Sequence, residues 1–204
     1  MSYISAKDIE SIAERVLAQA DIDSPPIKAE IIAECVCELD IDWVNFERDD
    51  VLAAISFCIR KIYMNESRKY ELKNNLGRMN FTVAHELGHW FLHQDLAQEK
   101  LFNFKDEVLI CRGTNIKTDN KERQANLFAT YLLMPEKFVK TQLNNFTTPL
   151  SEYDLRDLAD IFQVSKQSMR IRLVDELQLL HYAEGLYYKS ELEALEVGGQ
   201  QSLF

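Results

Sequence analysis

Within FTVAHELGHWFLH, residues 81–93, two histidines stand four positions apart with a glutamate directly after the first. In a helix this spacing stacks His85 and His89 on one face, one turn apart, so two imidazole nitrogens can reach a single zinc ion. Glu86 is rotated by about 100° from His85, which suits a base that handles a water molecule better than a third ligand. Zinc brings the pKa of such a water to near 7, and a carboxylate can then take its proton during attack on a carbonyl. The pattern His-Glu-x-x-His is therefore a hydrolytic metal motif. The bland alternative is an amphipathic helix that carries solvated histidines. Three of the chain's four histidines fall within nine residues of an otherwise apolar helix. Burying imidazoles without a partner is costly, and a metal supplies one.

A site of this kind needs a third protein ligand. His93 continues the four-residue spacing, but it lies about 12 Å along the helix axis from His85, too far for three rings to converge on one ion. It is expected to pack or hydrogen-bond beyond the site. Asp95 follows His89 by six residues, a placement that needs a sharp helix end at residue 92, where Leu rather than Gly stands. Glu122 sits in a second helical stretch, KERQANLFATYLLM, and shares a face with Ala125, Asn126 and Ala129. The small alanines let another helix approach closely, and Asn126 is placed to orient a metal-bound histidine from outside. The plain alternative for Glu122 is a solvated acid favoured by the helix dipole.

These two stretches together, FTVAHELGHWFLH and KERQANLFATYLLMP, with RKIYMNES and LGRMN upstream, resemble the ImmA/IrrE family of cytoplasmic bacterial metallopeptidases. The resemblance runs over roughly residues 25–140 and continues into the C-terminal segment. It implies zinc held by His85, His89 and Glu122, with Glu86 as catalytic base, in a zincin-like core. It also implies a substrate: a helix-turn-helix transcriptional repressor, cut once to release phage, mobile-element or stress genes. A large C-terminal sensor domain, carried by some relatives, is not expected. The reading from another class is a non-proteolytic anti-repressor or DNA-associated regulator whose zinc site is structural or vestigial. An intact Glu86 favours the peptidase, because a structural zinc site needs no base.

The elements that must position these residues follow from periodicity. Ile9, Ile12, Ala13, Val16 and Leu17 predict a helix over 6–20, and Ile27, Ile31, Ile32 and Cys35 a second over 27–38. The runs IDWVNF, VLAAISFCI and RKIYMN predict three short strands, read as an antiparallel meander. The histidine helix spans 78–93. An irregular stretch with one strand at VLICR leads to the helix over 120–134, and Pro135 opens a short further helix. The fold class is α+β: helices on a small three-stranded sheet, then a helical, helix-turn-helix-like subdomain. The expected division is 1–146 for the peptidase domain, 147–182 for the helical subdomain and 183–204 for a tail without periodicity.

Charge and composition bound the partners. Hydrophobic residues make up 47% and the net charge is −10, fitting a globular chain that repels nucleic-acid phosphates. The second helix of that subdomain, SKQSMRIRL, carries Lys166, Arg170 and Arg172, yet over 151–182 six acids outweigh four bases. DNA binding is thus not expected as the main role, and docking of a protein is. No apolar run approaches the ~20 residues of a membrane span, and no export signal opens the chain, so the cytoplasm is the expected compartment. Cys35, Cys37, Cys58 and Cys111 form no metal-binding spacing and are expected to be reduced.

Overall fold

Ser5 and Asp8 close a reciprocal capping box at the start of α1 (Ala6–Gln19), whose Ile9, Ala13, Val16 and Leu17 are all buried. In the computed structural model the described residues are 4–47, 49–93 and 116–200. Asp95, Cys111 and the strand expected at VLICR lie outside them. The described residues form two compact units, one carrying everything through Leu133 except Ser24–Pro26, the other the elements from Met134 onward.

In the first unit, α1 is followed by a short helix, α2 (Ala29–Ile31), which widens into a π-helical turn at Ile32–Val36. Next come strands β1 (Asp40–Val44), β2 (Ala53–Ser56) and β3 (Lys61–Asn65). A 3₁₀ turn (Glu66–Arg68) and α3 (Lys69–Asn74) lead to α4 (Leu76–Leu92), the histidine helix; α5 (Ile116–Leu133) carries Glu122. Asn75 caps α4, its Oδ1 accepting from the Arg78 amide at 3.0 Å. From the first turn of α4, Asn80 accepts from the Ala29 amide at 2.8 Å and donates to the Ile27 carbonyl at 2.7 Å, pinning the start of α2. Helix α5 packs against both α4 and α1, while α4 also lies against β2. Val83, Ala84 and Leu87 of α4 and Ala125, Phe128, Ala129 and Leu132 of α5 are fully buried. Each larger side chain among them contributes about 1.5–3 kcal/mol by leaving water. Phe91 stacks on Phe128 across the helix pair, with ring centroids 5.5 Å apart.

The three strands form where the sequence places them, but not as a meander. Their order is β1-β3-β2, with β1 parallel and β2 antiparallel to β3. Two features account for the difference. Ile62 and Met64 of β3 are fully buried, which suits a central strand. Lys61 of β3 lies against Asp42 at 2.7 Å and Asp40 at 3.8 Å, both on β1. Beside β2, those two aspartates would face AAIS, which has no cation to offer.

The second unit starts with α6 (Glu136–Leu143), then α7 (Glu152–Phe162) under a Ser151/Asp154 capping box. A tight turn with Gln163 in the left-handed region leads to α8 (Lys166–Arg170), capped by Ser165 and continued as a π-helical turn to Glu176. This is the expected helix-turn-helix-like arrangement, with Leu158, Ala159, Phe162, Val164, Met169 and Leu173 buried, whereas Ile171, expected in the same core, is exposed. Beyond it, where the sequence shows no strong periodicity, the chain still forms regular elements. A hairpin joins β4 (His181–Ala183) to β5 (Leu186–Tyr188), and α9 (Glu191–Gln200) follows. The positive φ of Glu184 and Gly185 matches the mirror-image turn that a two-residue hairpin requires. Leu150 extends the ribbon by exchanging both backbone hydrogen bonds with Tyr187, at 2.7 and 2.9 Å. No helix among the described residues is long and apolar enough to cross a membrane.

Candidate metal centre

The close approach of α4 to α5 brings three separated residues to one point. The ligand atoms of His85, His89 and Glu122 all lie within 4.8 Å of one another. The Nε2 atoms of His85 and His89 are 3.1 Å apart, and they lie 3.3 and 3.4 Å from the two Glu122 oxygens. Asp95 and its candidacy fall outside the described residues. His93 is turned away from this point, its Nδ1 3.0 Å from Nδ1 of His89. It hydrogen-bonds beyond the site, as the axial distance requires.

Gly88 makes the convergence possible. A Cβ at this position would sit 2.8 Å from the Ala125 Cα and 2.9 Å from its carbonyl oxygen, closer than backbone atoms tolerate. Two helices touching backbone to backbone here bring an acid from α5 within reach of imidazoles on α4. The sequence carries a signal for this: an interior helical glycine costs roughly 0.5–1 kcal/mol against alanine, so its presence implies a packing reason.

The outer nitrogens are also held. His85 Nδ1 is 2.9 Å from Asn126 Oδ1, an acceptor, so the proton belongs on Nδ1 and the Nε2 lone pair faces the cluster. His93 Nε2 is 3.0 Å from Gln124 Oε1, and the Gln124 amide nitrogen donates to the Ile4 carbonyl at 3.3 Å. The part played by Gln124 carries no signal in the sequence, where it is one polar residue among several on α5.

The electrostatics follow from burial and from these neighbours. Burial opposes charge on His85, but Glu122 and Glu86 outweigh it and lift the imidazole above its usual pKa. Glu86 is 6% exposed, and burial pushes its carboxyl above the usual range against the pull of both histidines. Burial acts to raise Glu122 as well, but the facing imidazoles overcome it and hold the carboxyl down to about 2. Even so, Glu122 Oε1 is buried with no hydrogen-bond partner. A buried carboxylate oxygen and two imidazole nitrogens meeting at one point are the donor set of a transition metal or zinc. The residues present fit a metal ion.

A helix-borne His-Glu-x-x-His facing an acid on an adjoining helix defines a metallopeptidase-type centre. The chain belongs to the ImmA/IrrE family of metallopeptidases: the profile of the IrrE N-terminal-like domain matches residues 71–174. Over 72 residues it is 36% identical to the metallopeptidase ImmA of Bacillus subtilis (strain 168), covering 35% of this chain and 37% of that protein. A solved structure of a Mycobacterium tuberculosis transcriptional regulator matches with a TM-score of 0.55 at 16% identity, over 82% of this chain and 46% of the other. That likeness is one of fold. Each match spans less than half of the relative's own length.

Proposed function

We propose that this chain is a cytoplasmic zinc endopeptidase that cleaves a helix-turn-helix transcriptional repressor and so releases phage, mobile-element or stress genes. The observation that carries the reading is the convergence of His85, His89 and Glu122 within 4.8 Å, beside a buried Glu86. His85, His89 and Glu122 would hold the metal, and Asn126 orients His85 through Nδ1. Zinc, when bound, supplies a Lewis acid for the peptide carbonyl and makes water acidic enough to lose a proton near neutral pH. Glu86 takes that proton on its carboxylate and hands it to the leaving amine nitrogen, restoring the base. Its burial strengthens this exchange by keeping bulk water away from the carboxyl.

The second unit is consistent with a protein substrate rather than DNA. Lys166 is paired with Glu152 at 2.6 Å and Arg170 lies 3.7 Å from Asp175. Arg172 is buried and donates to the Met134 carbonyl and to Glu176. The three cations of the expected reading helix are thus engaged within the chain, which weakens them as phosphate contacts.

The test is co-expression with a helix-turn-helix repressor, sought first among the genes neighbouring this one, followed by blotting and a promoter readout. Wild-type protein is expected to convert the repressor into two fragments, and Glu86→Gln to leave it whole while retaining zinc. Full derepression by Glu86→Gln would mean that the chain acts as a non-proteolytic anti-repressor.

A further inference from the structure

Resting on the metal reading above, we propose that His93 and Gln124 are positioning residues: they fix the tautomer of His89, so that its Nε2 lone pair faces the metal site. The hydrogen bonds run inward from Ile4. A backbone carbonyl only accepts, so the Gln124 amide must present its NH₂ to Ile4 O, at 3.3 Å. Gln124 Oε1 then faces His93 Nε2 at 3.0 Å, and an oxygen that only accepts requires a proton on that nitrogen. A neutral imidazole protonated at Nε2 carries a lone pair at Nδ1. His93 Nδ1 meets His89 Nδ1 at 3.0 Å, so His89 donates from Nδ1 and its Nε2 is bare. Nε2 is the atom that lies 3.1 Å from His85 Nε2 and 3.4 Å from Glu122 Oε1.

Burial keeps the chain of donors in this one direction. His89 is 2% exposed and His93 5%, so neither ring can turn to water for a different partner. A free histidine divides its proton between its two nitrogens, and a metal must select the right form each time it binds. Here the selection is made before the metal arrives. His85 is fixed by Asn126, a single amide, whereas His89 is fixed through a relay that ends on the backbone preceding α1. Both histidines thereby present Nε2 to one point, where the two nitrogens lie 3.1 Å apart.

The experiment uses the full chain in zinc-free form and two substitutions. His93→Phe keeps a ring but removes the acceptor; His93→Asn returns an acceptor oxygen to the place of Nδ1. Long-range ¹H–¹⁵N correlation at a pH where both imidazoles are neutral reads each histidine's tautomer. His89 is expected as Nδ1–H and His93 as Nε2–H in the wild type. In His93→Phe, His89 shifts toward Nε2–H, and in His93→Asn it returns to Nδ1–H. Zinc affinity by chelator competition should fall roughly 10–100-fold in His93→Phe and recover most of that in His93→Asn. A wild-type His89 protonated at Nε2, or a His93→Phe chain whose His89 stays Nδ1–H, overturns the proposal. The tautomers are read without zinc, so a wild type that binds no zinc contradicts the metal reading alone.

Discussion

The α4–α5 cluster and Arg172, one in each unit, handle buried polar groups differently. In the first, Glu86, His89 and His93 are all nearly inaccessible, and Glu122 Oε1 is buried with no hydrogen-bond partner, His89 Nε2 lying 3.4 Å away. In the second, Arg172 is as deeply buried, but its Nε donates to Met134 O at 3.1 Å and its Nη1 to Glu176 at 3.0 Å. Burying a polar group is costly unless it is hydrogen-bonded. Arg172 has the cost offset by its neighbours and serves the fold. The α4–α5 cluster keeps acceptors unspent, all aimed at one point, and so calls for something from outside the chain.

The sharpest way to break this contrast is at Glu86. Glu86→Gln is expected to lower cleavage by about 10²–10⁴-fold, the range for losing an acid–base group. It should leave the melting temperature unchanged or higher, because a buried carboxyl that serves chemistry costs stability. Arg172→Ala should do the reverse. It strands the Met134 carbonyl and is expected to destabilise the chain by about 1–3 kcal/mol in urea unfolding, with zinc affinity unaltered. If Arg172→Ala weakened zinc as much as it weakened the fold, the separation of roles between the units would fail. Gly88→Ala should show both effects together. The added methyl meets Ala125 backbone at 2.8 Å, so α4 and α5 must part. A destabilisation of about 1–3 kcal/mol is expected from overpacking, with weaker zinc binding because Glu122 recedes from the histidines. The smallest effect is expected at Lys166→Ala. Its pair with Glu152 leaves both side chains more than 40% exposed, and unfolding free energy should change by less than about 1 kcal/mol.

The same contrast separates what the sequence reveals from what it hides. His85, Glu86 and His89 are legible because helix periodicity alone stacks them. Glu122 is legible because Ala125, Asn126 and Ala129 mark a face where another helix can come close. The relay through His93 and Gln124 is not, since it depends on which way a ring and an amide turn inside the core. The sheet is legible in its strands and not in its order. A strand's period says which face is buried, not which neighbour it pairs with, and the Lys61–Asp42 contact joins positions with no local link. In the last segment, β4 and β5 are three residues each, too short for alternation to register. Helix α9 leaves Leu192 and Leu195 exposed, so its apolar residues trace no buried stripe. The Glu184–Gly185 turn was the one readable sign of structure there.

Zinc titration of metal-free protein, wild type against Glu122→Ala, by competition with a chelator of known affinity, tests most directly whether α4 and α5 meet to hold a metal. The wild type should take up one zinc per chain, and Glu122→Ala should bind it more weakly by more than the 10–100-fold expected of a residue outside the ligand set. Equal affinity in the two proteins, or no tight site in the wild type, would contradict the claim that α4 and α5 meet to hold a metal.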